Sequence, residues 1–487
     1  MTLQRRQSGI LMPISCLPSR HGIGDLGEVC LNFIDNIVEA GFSIWQILPL
    51  NPVGFGNSPY QAYSSFAGEE LYVNLDKLYD YGLLDEKVDS FYEDAEAVHY
   101  EEVRAYKNKY FLKAYENFKL KDEFKEEFEK FKEDAYWLDN FALFRVYKKK
   151  NHLVEWQKWP YQDKKKQNKV SEDNIEYEKF IQFMFFKQWN EIKDYAHSKN
   201  IKMMGDIPIY VGSDSADVWQ YQKSFLLDDI GYPTSVAGCP PDCFSDTGQL
   251  WGNPIYDWDY LKEQKYDFWI KRMKWNMNLF DIIRLDHFRA FDTYWKIPAG
   301  EKTAVNGKWV LGPAYDFFDT VFKELPDIQL IAEDLGDLRD EVTILKDHYH
   351  MLGMKIIQHS LGDREAKVNY QVQENCVAYT GTHDNETIVG WYHAKNKKDR
   401  DNIDKIMKTL KYNEDSILDN ILLYTLECNA RIAIIPMQDI LGLDNHAQLN
   451  FAGTVGSPNW EWKLKSLKDF ELRISSIHKL LEKSCRL

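Results

Sequence analysis

The chain has 487 residues and lacks the features of membrane-bound and nucleic-acid-binding proteins. Its apolar runs are all shorter than the stretch of about 18 residues that spans a bilayer. Near the N-terminus, Pro13 interrupts the short apolar stretch that follows Arg5-Arg6, and a signal peptide needs a longer one. The net charge of −16 disfavours a phosphate-rich partner. We therefore expect a cytoplasmic protein that binds neither membranes nor nucleic acid.

Cysteine is sparse and shows no pattern. The seven cysteines are odd in number and scattered along the chain, which disfavours a disulfide framework. Cys239 and Cys243 are four positions apart, and no second pair or His partner completes a zinc site. The cysteines are therefore predicted to be reduced thiols that bind no zinc.

Aromatic residues, in contrast, are abundant. They make up 15% of the chain, with 15 Trp and 29 Tyr. Most of them are expected to fill the core. The surplus of Trp and Tyr also suits a sugar ligand, because the apolar face of a sugar ring packs flat on an aromatic face.

Eight short apolar segments, each followed by polar residues, Gly or Pro, are predicted to be β-strands. Segments with helical periodicity separate most of them, which is typical of a parallel sheet. Eight such units indicate a closed (β/α)8 TIM barrel, and we expect residues 1–487 to form one catalytic domain of this kind. The predicted strands are Gly9–Ile14, Ile44–Leu50, Lys202–Tyr210, Ile282–Asp286, Gln329–Glu333, Met354–His359, Cys376–Thr382 and Arg431–Pro436.

Two segments interrupt the alternation of strands and helices. Residues 76–200, between the second and third strands, are too long for one crossover and carry amphipathic stripes, so we predict an inserted, mainly helical subdomain. Residues 231–259, between the third and fourth strands, combine Gly and Pro with Trp251 and Trp258. This segment is predicted to be an aromatic loop that either covers a sugar site or only packs on the barrel.

Three of the predicted strands end at carboxylates. Asp286 closes the fourth strand, Glu333 the fifth, and Asp384 follows the seventh. Side chains at the C-terminal ends of barrel strands line the active sites of TIM-barrel enzymes. We expect these three carboxylates to meet in one site.

The carboxylates allow two interpretations that involve no sugar chemistry. In the first, they form ordinary ion pairs with Arg284 and Arg289. In the second, they bind a metal together with His287, His383 and Asp334, although no paired-His spacing supports such a site.

The third interpretation is cleavage of a glycosidic bond, which uses a pair of carboxylates. One of them has to be ionised, and Arg284 on the same strand is expected to lower the pKa of Asp286. The other has to carry a proton, and the apolar residues before Glu333 are expected to raise the pKa of Glu333.

Seven motifs give the chain a resemblance to a known family. Over essentially its whole length it resembles the amylomaltases, which are bacterial 4-alpha-glucanotransferases, or disproportionating enzymes, of glycoside hydrolase family 77 in the α-amylase clan. The motifs are Gly22-Ile23-Gly24-Asp25-Leu26-Gly27, Asn57-Ser58-Pro59-Tyr60-Gln61, Gly205-Asp206-Ile207-Pro208-Ile209-Tyr210, Gly248-Gln249-Leu250-Trp251-Gly252-Asn253-Pro254, Arg284-Leu285-Asp286-His287-Phe288-Arg289, Ala332-Glu333-Asp334-Leu335-Gly336 and Gly381-Thr382-His383-Asp384-Asn385.

The resemblance implies a role for each of the three carboxylates. Asp286 would be the nucleophile, Glu333 the general acid/base, and Asp384 the carboxylate that binds hydroxyls and distorts the reacting sugar. The family needs no cofactor and no metal. The residues predicted to bind substrate are Tyr60, Asp206, Trp251, Arg284, His287, His383 and Asn450.

The implied reaction belongs to glycogen and maltodextrin metabolism. It transfers a 1,4-α-glucan segment from a maltooligosaccharide donor to an acceptor glucan or glucose, with retention through a covalent glycosyl-enzyme. The partners would be maltooligosaccharides and glucans derived from starch or glycogen. Two alternatives are an α-glucan hydrolase on the same barrel and a non-catalytic glucan-binding relative. The presence of all three carboxylates argues against the second.

The chain departs from the family pattern at two places. Cys243 stands where the family commonly has an aromatic residue, which predicts the loss of one sugar platform. Residues 448–454, which contain Asn450, lack the usual Arg before the motif and the usual Pro within it.

Overall fold

The fold is built around eight parallel strands, in a computed structural model that describes residues 6–241, 245–362 and 372–487. The eight strands are joined in the order β10, β11, β12, β1, β2, β3, β6, β9. Their bounds are Gln7–Leu11 (β1), Ile44–Gln46 (β2), Lys202–Ile207 (β3), Ile282–Leu285 (β6), Leu330–Ala332 (β9), Gly353–Ile356 (β10), Cys376–Tyr379 (β11) and Ile432–Pro436 (β12).

A parallel bridge brings the two ends of this sheet together. Ile331 of β9 pairs with Leu352, the residue before β10. The N–H of Ala332 donates to the carbonyl oxygen of Leu352 at 2.8 Å. The eight predicted strands are therefore confirmed, and so is the TIM barrel.

Buried apolar residues explain why these segments form a barrel. Strands β2, β6, β9, β11 and β12 are buried at every position. Strands covered on both faces are typical of parallel sheets that carry helices around them. Within the described ranges, eighteen α-helices are present. They are Glu28–Ala40 (α1), Leu75–Asp80 (α2), Tyr100–Phe118 (α3), Lys125–Asp134 (α4), Leu138–Lys150 (α5), Tyr161–Lys164 (α6), Glu172–Ser198 (α7), Ala216–Gln220 (α8), Trp258–Glu263 (α9), Asp267–Leu279 (α10), Ala314–Glu324 (α11), Asp340–His348 (α12), Ile357–Gly362 (α13), Ile388–Ala394 (α14), Lys397–Thr409 (α15), Ile417–Glu427 (α16), Met437–Leu441 (α17) and Lys468–Lys483 (α18).

The segment predicted as a helical insertion, residues 76–200, contains helices α2 to α7 and joins β2 to β3. Its aromatic residues, such as Phe118 and Trp137, belong to the same apolar core as the barrel residues Trp45 and Ile434. Its status as a separate subdomain stays a prediction.

The segment predicted as an aromatic loop, residues 231–259, is in part a β-sheet, so that prediction needs correction. It contains the antiparallel strands Ser235–Cys239 (β4) and Gln249–Pro254 (β5). β4 also pairs with Thr293–Pro298 (β7), and β7 pairs with Lys308–Leu311 (β8). The Gly and Pro residues suggested a loop, but β4 finds its second partner more than 50 residues further along the chain.

Over residues 6–241, 245–362 and 372–487, each helix is too short or too polar to span a bilayer.

Candidate active site

The residues predicted for the site lie together beyond the C-terminal ends of the barrel strands. Asp206 and Arg284 are the next-to-last residues of β3 and β6, and they pair with each other because these strands are neighbours. The other predicted residues follow strands: Tyr60 after β2, Asp286 and His287 after β6, Glu333 after β9, His383 and Asp384 after β11, and Asn450 after β12. The parallel direction of the strands explains why residues so distant in sequence meet.

Arg284 organises the floor of the site. Its Nη1 donates to both carboxylate oxygens of Asp206, at 2.7 and 2.6 Å, and lies 3.1 Å from Oδ1 of Asp286. Asp206 also accepts from the hydroxyl of Tyr60 at 2.8 Å. Because Arg284 and Asp206 are only 4% and 2% exposed, this pair is a rigid base for Asp286.

Backbone N–H groups hold the carboxylate of Glu333. Its Oε2 accepts from the N–H of His287 at 2.7 Å, and its Oε1 accepts from the N–H of Leu335 at 3.3 Å. His287 adopts a left-handed backbone conformation with φ of 47°, which turns the chain just after Asp286. The residue that follows Asp286 in the chain, His287, therefore holds the carboxylate of Glu333.

The pKa values of these two carboxyls lie on either side of neutrality. Burial raises the pKa of Glu333 to about 8, with a further increase from the charge of Asp286, as the apolar sequence before Glu333 predicted. Arg284 lowers the pKa of Asp286 as predicted, but the net shift is upward. Burial raises the pKa of Asp286 to about 6, and it outweighs the lowering by Arg284, whose charge is shared with Asp206.

Asp384 is held differently. Its side chain is 45% exposed, with Oδ2 at 3.2 Å from Nε2 of His383, while its Oδ1 accepts from Nδ2 of Asn450 at 2.6 Å. The surrounding protein tends to raise its pKa, but His383, Asn450 and Arg284 together lower the pKa to about 2. Asp384 is therefore ionised at any physiological pH.

An aromatic cluster forms one wall beside Asp384. The rings of Tyr60 and His383 stack with centroids 5.2 Å apart and 17° between their planes. Trp460 packs against both rings, at 5.8 Å from each. The sequence analysis did not select Trp460, because it lies ten residues beyond Asn450 and outside every motif that carried the resemblance.

Trp251 forms a wall beside His287. Its ring meets the ring of His287 edge to face at a centroid distance of 4.9 Å. Its indole N–H donates to Oε1 of Gln249 at 3.0 Å, and its carbonyl oxygen accepts from Nε2 of Gln61 at 3.0 Å. Gln61 is a second residue that the sequence analysis did not assign, and its place beside Tyr60 in one motif was the available signal.

The two departures from the family pattern differ in what can be described. Cys243 lies outside the described residues. In the other segment, Asn450 contacts Asp384 as given above, and the N–H of Phe451 donates to Oδ1 of Asn459 at 2.7 Å. Asn450 thus reaches the site although its neighbours are atypical.

The chemistry of the donor groups does not suggest a metal. Among the residues that the structure describes, no group of three or more His, Cys, Asp and Glu side chains is arranged to bind a metal ion. Asp286 and Asp206 instead contact Arg284, a fixed cation.

A family model described as 4-alpha-glucanotransferase matches residues 12–469. The chain belongs to the 4-alpha-glucanotransferase family. A relative from Clostridium butyricum, a 4-alpha-glucanotransferase, is 42% identical over 469 residues, which cover 93% of this chain and 95% of the relative. The chloroplastic/amyloplastic 4-alpha-glucanotransferase of Solanum tuberosum is 37% identical over 96% of this chain and 84% of its own length.

Solved structures agree with membership of the 4-alpha-glucanotransferase family. The amylomaltase from Streptococcus agalactiae, solved in complex with acarbose, superposes with a TM-score of 0.93 and 34% identity, and the match covers 99% of this chain and 100% of that one. An amylomaltase from Corynebacterium glutamicum has the same fold, with a TM-score of 0.79 at 15% identity over 99% of this chain and 75% of that one. The predicted resemblance is confirmed.

Proposed function

We propose that this 4-alpha-glucanotransferase moves a 1,4-α-glucan segment from a maltooligosaccharide to another glucan or to glucose by a retaining double displacement. The observation that carries the proposal is the pair Asp286 and Glu333. Arg284, at 3.1 Å from Asp286, favours the ionised form of that carboxyl, whereas burial raises the pKa of Glu333 and favours its protonated form. A retaining glycosidase needs this combination of a nucleophile and an acid.

In the first step, a carboxylate oxygen of Asp286 attacks the anomeric carbon of the donor sugar. The bond between that carbon and the glycosidic oxygen breaks, and Glu333 gives its proton to the departing oxygen. Arg284, at 3.1 Å from Asp286 and paired with Asp206, holds the attacking carboxylate in place. The products are an ester of Asp286 that carries the donor segment, and the remainder of the donor, which leaves with the protonated oxygen as a free hydroxyl.

In the second step, Glu333 takes the proton of an acceptor hydroxyl, whose oxygen attacks the same carbon and displaces Asp286. The configuration is retained because the carbon is inverted twice. Asp384 stays charged throughout, with a pKa of about 2, and with His383 it binds ring hydroxyls of the reacting sugar. Tyr60 provides an aromatic face next to that ring.

The proposed partners are maltooligosaccharides and glucans from starch or glycogen, with glucose as an acceptor and the cytoplasm as the compartment. Their support is the similarity to amylomaltases, one of which was solved with acarbose. The site offers the aromatic faces and ionised groups that a chain of glucose units requires, at Tyr60, Trp251 and Asp384.

Incubation of the purified protein with maltotriose tests the proposal. Transfer releases glucose together with oligosaccharides longer than maltotriose. Release of glucose and maltose without longer products would indicate a hydrolase instead. Absence of any product, with acarbose still bound, would indicate a non-catalytic glucan-binding protein.

A further inference from the structure

We infer that Asp439 is a positioning residue whose carboxylate fixes both ends of the loop that presents His383 and Asp384 to the substrate. The inference rests on the proposed function, because it assumes that Asp384 acts on the reacting sugar. Asp439 belongs to no motif used above and lies on α17, just after β12.

The contacts of Asp439 span the whole loop. Its Oδ1 accepts from the N–H of Ile388 at 2.7 Å, and its Oδ2 accepts from the hydroxyl of Thr380. Thr380 is the residue after β11, and Ile388 is the first residue of α14. The carboxylate therefore ties together the two ends of residues 381–387.

Hydrogen bonds also connect residues within the loop. Oδ1 of Asn385 accepts from the N–H of Thr382 at 2.8 Å and from the hydroxyl of Thr382 at 2.9 Å. The hydroxyl of Thr382 in turn accepts from the N–H of Asp384 at 3.3 Å. Because these bonds link the residues of the loop to one another, its attachment at the ends contributes to where Asp384 lies.

Other residues anchor the loop at single places: the N–H of Asn450 donates to the carbonyl oxygen of His383 at 3.1 Å, and further bonds hold the second half. Oδ1 of Asn445 accepts from the N–H of Thr387 at 3.2 Å, and Nε2 of Gln358 donates to the carbonyl oxygen of Glu386 at 2.6 Å. The carboxylate of Asp439 bonds to both ends of the loop at once, through Thr380 and Ile388. Because its side chain lies in the interior at 1% exposure, water cannot easily replace it there.

A carboxylate suits this position because both of its oxygens accept hydrogen bonds. Burial raises the pKa of Asp439 to about 6, and the two donors, Ile388 and Thr380, act against that rise. An Asn side chain would keep the bond to Ile388 and could donate to the oxygen of Thr380 instead. We therefore expect Asp439→Asn to be a mild change and Asp439→Ala a severe one.

The matched control is Asp217 on α8, a buried carboxylate with the same kinds of donor. It accepts from the N–H and the hydroxyl of Ser65, both at 2.7 Å, and is 3% exposed. Asp217→Ala should lower the melting temperature as Asp439→Ala does. Its effect on transfer per folded molecule should be small, because it bonds to a different loop.

Kinetics with maltotriose provide the first test. Asp439→Ala should lower kcat/KM about 10²-fold, since a displacement of about 1 Å at a catalytic group can cost that much. Asp439→Asn should restore most of the loss. Equal kcat/KM values for the two Ala variants, Asp439→Ala and Asp217→Ala, would overturn the inference. If Asp439→Ala does not fold, Thr380→Val removes one of the two end contacts and replaces it in the same comparison.

Binding of acarbose, measured by calorimetry, provides a test that needs no activity. Asp439→Ala should weaken binding in the wild-type background and have no further effect when combined with Asp384→Asn, because both act through the same group. Additive effects would contradict a positioning role. A wild-type protein that makes no transfer products would contradict the proposed function alone, because the acarbose comparison would still test Asp439.

Discussion

The two sides of the candidate site hold their carboxylates in opposite ways. Asp286 and Glu333 directly follow the buried strands β6 and β9, and burial raises their pKa values to about 6 and about 8. Asp384 lies on a loop five residues beyond β11, is 45% exposed and has a pKa of about 2. One side can therefore exchange protons near neutrality, and the other carries a permanent charge.

The placement of each carboxylate in the backbone, and not its residue type, therefore sets the direction of its pKa shift. A carboxylate at a strand end lies among the apolar residues of the barrel, which disfavour its charged form. A carboxylate on a loop can be surrounded by polar partners, here His383 and Asn450. In the proposed mechanism, these three acids provide one nucleophile, one proton donor and one fixed anion.

The largest effect is expected from removal of the nucleophile on the titrating side. Asp286→Asn should lower transfer from maltotriose by at least about 10⁴-fold, because no other group can form the ester. The matched control, Asp217→Asn, changes a buried carboxylate outside the site and should leave transfer close to wild type. Residual transfer within about tenfold of wild type in Asp286→Asn would contradict the assignment.

Loss of the acid on the same side should have a smaller and conditional effect. Glu333→Gln should lower transfer from maltotriose by about 10²–10⁴-fold, the usual contribution of general acid catalysis. An α-glucosyl fluoride donor needs no protonation, so it should form the glycosyl-enzyme, which then accumulates. Intact-protein mass spectrometry would detect the added glucosyl group. No accumulation with this donor would show that Glu333 is not the acid.

The pH profile separates the titrating side from the charged side. Asp286 must be ionised to attack, so kcat/KM should fall as pH decreases through about 6. Glu333 must be protonated, so kcat/KM should fall as pH increases through about 8. Each limb should approach a tenfold change per pH unit. Asp384 should add no limb above pH 4, since its pKa is about 2.

A variant assigns the alkaline limb of that profile. Glu333→Gln, assayed with the fluoride donor for glycosyl-enzyme formation, should keep the acid limb and lose the alkaline one. An alkaline limb that persists in this variant would have to come from another group.

Much of the fold and part of the candidate site could be predicted from the sequence. All eight barrel strands were predictable, because buried parallel strands are short apolar runs that end in polar residues. That Asp286, Glu333 and Asp384 lie in one site could be predicted from the barrel, because each follows a parallel strand. The pKa of Asp286 could not, because burial outweighs the effect of Arg284, which also pairs with Asp206, a residue 78 positions away.

The features that could not be predicted from the sequence depend on contacts between distant segments. Strand β4 needs β7 to form its sheet, and Trp460 becomes part of the site only because its ring reaches Tyr60 and His383. Asp439 contacts Thr380 across 59 positions. The local periodicity of the sequence does not predict such contacts.

The smallest effect on turnover is expected from Trp251, which belongs to neither of the two groups of carboxylates. Water is present at about 55 M, so a transferase must hold its acceptor and limit the access of water to the ester of Asp286. The indole N–H of Trp251 already donates to Gln249, so a sugar would contact the ring face. Trp251→Ala should therefore raise the hydrolysed fraction of the donor severalfold while reducing total turnover little.

The control is Trp309→Ala on β8 of the same antiparallel sheet. Trp309 is 38% exposed and stacks with the guanidinium of Arg289 at 3.8 Å from the ring centroid, so its loss also removes an indole from this sheet. Both variants should lower the melting temperature, but only Trp251→Ala should change the ratio of transfer to hydrolysis. If the ratio stays the same in Trp251→Ala and only the melting temperature falls, Trp251 anchors β5 and does not select the acceptor. A changed ratio in Trp309→Ala would instead assign the selection of acceptor over water to the whole sheet.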